Sequence, residues 1–337
     1  MQTTLLSYLG KKELYPTIFY FDNNLYNITL NNIVPSNSIK LGKIKWNYSK
    51  NNLFIYINNT KTIPYLFNTN YTTKNVSLLK SQLQKSIRRQ LTDLSLNIAY
   101  QFINLDFNEF LRRILIITLE DTLLNKYFPI ITWMMVAYSK NEWIPSINDI
   151  NWLLNYIKYL CSINFRENYN KLHKTHIIPN YNVDLFNNLI FCLELRKAYG
   201  GLTSDIKMIN WFINELHNRF TNHQYIESIN NDIIIENILD NFINNNILLN
   251  KPTEMLIEGV DFHNYPQILN EIKKIYYTYD LEDIKISIWE YSSKYNKRCY
   301  LHNNKSDEPN DKYYNIWKNI KNTKIKYSKK YLKKNLL

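Results

Sequence analysis

The chain has 337 residues, a formal net charge of +12, 45% hydrophobic and 15% aromatic residues, a composition that excludes a disordered chain and supplies a core for one large or two ordinary domains. Its three cysteines, Cys161, Cys192 and Cys299, are odd in number and far apart, which excludes a disulfide framework and a paired-cysteine zinc module. No run of 18 apolar residues offers a membrane span.

Taken in chain order, residues 14–70 have the pattern of short strands. Residues 15–21, the turn signal Asp22-Asn23-Asn24 and residues 25–30 form one expected hairpin; residues 44–46 and 53–57 form another. This is a small β-rich N-terminal unit, residues 1–72. After Thr73 the period changes, because Leu79, Leu83, Ile87, Leu91, Leu94, Ile98 and Phe102 recur at steps of three and four. One long amphipathic helix is expected there, followed by helices over 107–119, 122–138 and 148–163, the last capped by Ser146 or Asn148. These make a helical domain, residues 73–180, that ends in the polar connection 165–181.

The second helical domain, residues 181–308, starts with a helix over 184–198 that stops at Gly200-Gly201, where the left-handed conformation disfavours residues with a Cβ. Thr203-Ser204-Asp205 offers an N-cap for a helix to about residue 220. Residues 226–249 alternate Ile and Asn, a pattern open to helix or strand with helix favoured, and 266–277 and 281–293 are expected as a helical pair, the second capped by Asp280. Residues 309–337 are a basic tail. The fold class is therefore mainly α, two packed helical-bundle halves behind a small β-rich N-terminal unit, with no internal repeat.

The first constellation of chemical interest runs from Ser81 through Lys85, Ser86, Arg88 and Arg89, continues at Arg112 and Arg113, and ends at Glu120-Asp121. With Leu83, Ile87 and Leu91 facing the core, Lys85, Arg88 and Arg89 lie on one polar helix side. Two readings stand side by side: an arginine–carboxylate network pinning helices, with Arg112 or Arg113 paired to Glu120, Asp121 or another helix carboxylate, and a phosphate-contacting basic face.

These residues resemble the C-terminal helical region of the Werner-helicase-interacting, clamp-loader-like ATPases of replication and recombination. That family has a Lys-Ser-x-Arg helix followed by a short helix ending in Ser-Glu-Asp; Lys85, Ser86, Arg88, Arg112, Arg113, Glu120 and Asp121 match it, whereas Arg89 and Thr122 replace glycines. The resemblance spans about 50 of the 337 residues and implies an oligomerising, replication-associated helical module rather than an active site. The chain departs from the family in having no phosphate-binding loop, since its five glycines are scattered, so ATPase activity is not expected. Together with Tyr199-Gly200-Gly201, Asp261-Phe262-His263 and residues 289–298, the constellation is also similar to unassigned proteins of protists and their large viruses, which carries no function.

Asp261-Phe262-His263 sets a carboxylate and an imidazole two residues apart, the start of a metal or acid–base site that only the fold could complete with Asp205 or His302. Trp289, Tyr291, Tyr295, Asn296 and Arg298 mix aromatics with a base; Trp289 reads as core, and Tyr295 and Arg298 as exposed, in position to stack on a nucleobase. In the tail, residues 312–337 contain nine Lys and no acidic residue, interleaved with Tyr313, Tyr314, Trp317, Tyr327 and Tyr331. That mixture suits a phosphate backbone with stacked bases. Against it stands the coding bias: about 50 Asn beside 5 Gly and 3 Ala look like an AT-rich genome, such as that of a large DNA virus, an AT-rich protist or an organelle.

The function this supports is a non-catalytic nucleic-acid-associated or scaffolding protein in replication, transcription or translation. Its nucleic-acid-binding residues are Lys85, Arg88, Arg89, Arg112, Arg113, Lys324, Lys326, Lys329, Lys330, Lys333 and Lys334, with Glu120 and Asp121 in structural ion pairs. Its partners are DNA or RNA, or proteins of a replication or expression complex, with no membrane, no cofactor, and an oligomer compatible with the family resemblance. The rivals are a metal-assisted hydrolase or nuclease using Asp261 and His263, and a purely structural protein-interaction module. The residues 1–12 lack the pattern of a signal peptide, and with unpaired cysteines this points to an intracellular, cytoplasmic protein, in the viral factory if the source is viral.

Overall fold

A computed structural model of the chain describes residues 16–45, 52–68, 75–167, 183–221, 232–244, 255–261, 266–300 and 311–336. Strands β1 (Ile18–Asp22), β2 (Asn27–Asn31), β3 (Ser38–Lys45) and β4 (Asn52–Asn58) form one sheet in the order β2-β1-β4-β3. β1 and β2 make the antiparallel hairpin expected from the turn signal, β3 and β4 make the second, and β1 joins them by running parallel to β4. The period of two decides the buried face: Phe19 lies beside Ile55, Phe21 beside Ile57, and all four are buried.

The first group of helices is α1 (Val76–Arg88), α2 (Thr92–Leu105), α3 (Phe107–Asp121), α4 (Phe128–Lys140) and α5 (Ile147–Ser162). α6 (Val183–Ala198), α7 (Thr203–Thr221), α8 (Ile238–Asn244), α9 (Pro266–Ile275), α10 (Leu281–Ile288) and α11 (Asp311–Leu336) follow, and the fold is mainly α with a small N-terminal sheet. In α4 every residue from Phe128 to Ala137 is buried. A helix apolar all round belongs in a core, and here it lies between the sheet on one side and α3 and α6 on the other. Trp133 ties it to the sheet: its indole N–H donates to the Phe19 carbonyl at 3.1 Å, and its ring packs on Phe21 and Trp143. Of the two expected caps for α5, Ser146 is used, its hydroxyl accepting from the Asp149 N–H while the Asp149 carboxylate accepts from the Ser146 N–H.

The long helix expected through residues 79–102 is broken into α1 and α2. Gln90 sits at φ +55° and its side-chain amide donates to the Ile163 carbonyl at 2.9 Å. The last carbonyls of α1 are taken by distant donors: Arg298 donates to Ile87 O at 2.7 Å, and the Lys297 N–H donates to Arg88 O at 3.2 Å. With its C-terminal acceptors satisfied from outside, the helix stops. Gly200, at φ +73°, ends α6 as expected.

Packing divides the chain differently from the expected boundaries at 180 and 308. α6 and α7 contribute Leu189, Leu193, Ile209 and Phe212 to the same core as the sheet and α2 to α5. A second, smaller core is built from α9, α10 and α11, with Leu78 of α1 and Val260 reaching into it. The segment 309–337 is accordingly not a tail: residues 311–336 are one helix of about 39 Å, and Ile316, Ile320 and Leu332 on it are buried in the second core. Within the described part of the expected helix 226–249, only α8 is helical. Among the described residues no helix is long and apolar enough to cross a membrane.

Candidate nucleic-acid interface and buried ion network

α11 sorts its residues by steps of four. Ile316, Ile320, Lys324, Ser328 and Leu332 are buried, whereas Lys312, Lys318, Lys321, Lys326, Lys329, Lys330, Lys333 and Lys334 are exposed. Lys318, Lys326, Lys329 and Lys333 fall within one solvent-facing arc of about 80°, because at 3.6 residues per turn steps of eight, three and four turn by about +80°, −60° and +40°. Of the aromatics read as stacking groups, Tyr313, Trp317, Tyr327 and Tyr331 instead pack on the second core, and Tyr314 is exposed with its ring edge-on to Tyr291 at 5.5 Å. Lysine predominates on the exposed face, beside Tyr314, Asn315, Asn319 and Asn322, and apolar and aromatic groups dock the helix.

Lys324 is the exception among the lysines and corrects its place in the expected interface. It is 1% exposed, lies 2.8 Å from the Asp261 carboxylate and donates to the Ser292 hydroxyl at 3.0 Å. Ser293 donates to the other Asp261 oxygen, from which the Lys85 ammonium is 3.9 Å away. One carboxylate thus serves two ammonium groups at the seam between the cores. Burial pushes the Lys85 ammonium down to about 8; Asp261 opposes this, and Arg88, Lys324 and Arg89 add to it.

Next to this group, Arg88 donates from Nε to Asp121 Oδ1 at 2.5 Å, from Nη2 to Glu120 Oε1 at 2.9 Å and from Nη1 to the Ser293 carbonyl at 2.8 Å. Burial works against its charge, but Asp121 and Glu120 outweigh burial and raise its pKa above the ordinary arginine value. Gln84 donates to both carboxylates, at 2.7 and 3.0 Å, and accepts from Arg113. Arg298 caps three backbone carbonyls, those of Ile87, Leu160 and Ile163. α1 is the common element: Leu79, Leu83 and Ile87 face the first core, Leu78 the second, and its polar residues are clamped between them.

Several expected contacts with nucleic acid are therefore excluded by burial. Lys85 and Arg88 are 7% and 5% exposed and act as internal ions, and Arg298 is buried rather than exposed. Arg89 is half-buried, donates to Lys85 O at 3.1 Å and Ser292 O at 2.7 Å, and lies 5.8 Å from the ring of Tyr295, which is exposed. Glu120 and Asp121 are held by Arg88, not by Arg112 or Arg113. Arg112 is instead 3.6 Å from Glu109, a carboxylate of its own helix, and both Arg112 and Arg113 are half-buried. Lys326, Lys329, Lys330, Lys333 and Lys334 are exposed.

Asp261 is not placed as a metal ligand, because two ammonium groups facing one carboxylate repel a cation. His263 and His302 lie outside the described residues, and among the described residues no three His, Cys, Asp or Glu side chains group as metal ligands. Sequence reasoning missed the internal role of Lys324, although its place on the Ile316–Ile320–Leu332 stripe was a usable signal. It also missed the convergence of Arg196 on Arg112, for which a single sequence holds no signal. No protein-family model, curated protein or solved structure matches this chain.

Proposed function

We propose that this chain is a non-catalytic nucleic-acid-associated protein, acting inside the cell in replication, transcription or translation, that holds a phosphate backbone along the exposed face of α11. The observation that carries this reading is the row of eight exposed lysines between Lys312 and Lys334, a stretch with no acidic residue. Because α11 is docked by its apolar face and by Lys324, the lysines are held on a rigid rod rather than on a random coil. Preorganised cations displace condensed counterions with less ordering cost, and such contacts carry no base preference.

The test replaces charge and keeps the helix. Deleting residues beyond 311 would uncover the second core and strand Asp261, so the variant to use is Lys318→Gln, Lys326→Gln, Lys329→Gln and Lys333→Gln combined. Binding to unrelated single- and double-stranded oligonucleotides is measured by fluorescence anisotropy across a salt series. Loss of four phosphate contacts should make the log–log salt slope shallower by about 3. Coincident curves for the two proteins, or no binding at low salt, would end this reading.

A further inference from the structure

The four-stranded sheet has a second face. Its inner face feeds the first core through Phe19, Phe21, Ile55 and Ile57, so the period of two turns Tyr20, Phe54 and Tyr56 the other way. These three side chains are half-buried and belong to neither core. Tyr20 and Tyr56 are direct partners on the parallel strands β1 and β4, and Phe54 precedes Tyr56 by two residues on β4, about 7 Å away. Ile18, the direct partner of Phe54, is buried and forms the floor of this face.

β3 flanks the rings with cations. Lys40 pairs with Tyr56, Lys43 with Phe54 and Lys45 with Asn52, and all three lysines are exposed. Lys40 and Lys43 are an odd number of residues apart and in a regular strand would point to opposite faces; the register shift at Leu41 puts both beside the rings. The Lys40 ammonium stands 4.0 Å from the centre of the Phe54 ring, as a shared face requires. Among the described residues none of the three lysines is in an ion pair. Asp22 is the only acidic residue from Leu14 to Thr92. It lies beyond Tyr20 at the β1–β2 turn, where its Oδ1 accepts from the N–H groups of Asn24 and Leu25 and from the Asn58 amide.

Rings on the central strands with cations along one rim suit a single strand. Unpaired bases stack on the rings while phosphates follow the lysines, whereas in a duplex the base faces are already stacked on one another. An edge strand carries lysines and a bulge simply to block pairing with another sheet in many proteins, but that does not account for three rings left outside both cores on the strands within. Phe54 now carries the Lys40 ammonium; a stacked base outweighs an exposed cation–π contact and releases the ammonium to a phosphate. We propose that the outer face of the sheet binds single-stranded nucleic acid, with Tyr20, Phe54 and Tyr56 as stacking groups and Lys40, Lys43 and Lys45 as phosphate contacts. The site goes beyond the α11 reading and stands without it, on separate elements and with a preference for unpaired bases that α11 lacks.

The test uses the full chain with Lys318→Gln, Lys326→Gln, Lys329→Gln and Lys333→Gln, so that the α11 face is removed as a source of binding. Fluorescence anisotropy is read with labelled oligo(dT), oligo(U) and an oligo(dT)·oligo(dA) duplex of equal length. This protein should still bind single strands, about tenfold or more tighter than duplex, and the tighter of the two homopolymers identifies the sugar. Adding Tyr20→Thr with Tyr56→Thr, which keeps β-branched residues on the strands, should weaken single-strand binding about tenfold or more. Tyr20→Phe with Tyr56→Phe in their place should restore it, with circular dichroism checking the fold of each variant. Lys40→Gln, Lys43→Gln and Lys45→Gln together should make the single-strand log–log salt slope shallower by about 2. The proposal is overturned if single strands bind the natural chain but not the α11 variant, if they bind neither, or if the threonine pair binds as tightly as the phenylalanine pair.

Discussion

Lys85 and Lys324 share Asp261, yet replacing each by methionine should have unequal results. Lys324 is the close partner at 2.8 Å and Lys85 the distant one at 3.9 Å. Lys324→Met leaves a buried carboxylate with one remote ammonium and one hydroxyl; removing a partner from a buried pair costs about 3–5 kcal/mol, and residual help from Lys85 sets the expectation near 3. For Lys85 the drop from 10.5 to about 8 corresponds to about 3 kcal/mol of disfavoured protonation in a group almost wholly buried. Below pH 8 both the folded and the unfolded chain hold this proton, so the penalty is complete. Between pH 8 and 10.5 the unfolded chain still holds a proton that the folded chain has lost, and stability rises with pH across that window. Lys85→Met should therefore be at least as stable as the natural chain at pH 7 and should lack this rise. Urea unfolding followed by tryptophan fluorescence at pH 7, 8, 9 and 10 gives the midpoints, with an unchanged denaturant slope as the check on comparability. The reasoning fails if Lys85→Met is as destabilising as Lys324→Met at pH 7, or if its pH response matches that of the natural chain.

Arg298→Met removes the guanidinium from three carbonyls, those of Ile87, Leu160 and Ile163, of which Ile87 and Ile163 keep Gln90 as a donor. A loss of about 3 kcal/mol or more is expected, and a urea midpoint unchanged from the natural chain would show that other donors replace the guanidinium. Gly259→Ala drives a methyl group into the Gln82 amide, which donates to Leu256 O and accepts from Leu256 N at 2.8 Å each. Breaking that pair should cost about 1–3 kcal/mol, read as a lower melting temperature; equal melting would mean that Gln82 keeps both bonds. Cys299 is exposed, whereas Cys161 and Cys192 are buried and burial pushes both thiols up. A thiol reagent should titrate one cysteine rapidly in the folded chain and three in urea; rapid reaction of two or three in the folded chain would contradict the packing around α4 to α6.

The unequal fate of the nine C-terminal lysines shows where sequence reading loses its hold. Lys324 has the same composition around it as Lys326, and only its place four residues beyond Ile320 separates an internal counter-ion from a surface charge. The dominance of Lys and Asn hid a docking face made of just a few apolar and aromatic positions. In the first constellation the residue types pointed to an arginine–carboxylate network, but the choice of Arg88 over Arg112 and Arg113 as the partner of Glu120 and Asp121 depends on how α1 lies against α3.

By itself the sequence determined the β-rich start, the helical majority, a cap for α5 at Ser146 or Asn148 and the stop at Gly200, because periodicity, capping and glycine conformation act within a turn or two of chain. The tertiary structure alone decided the break at Gln90, the burial of Lys85 and Arg88, and the meeting of Arg196 with Arg112. Each of these is an agreement between groups far apart in sequence: the donor that ends α1 comes from Arg298, 211 residues beyond the Ile87 carbonyl it caps. Caps and counter-ions are chosen by distance in space, and no local pattern encodes that distance.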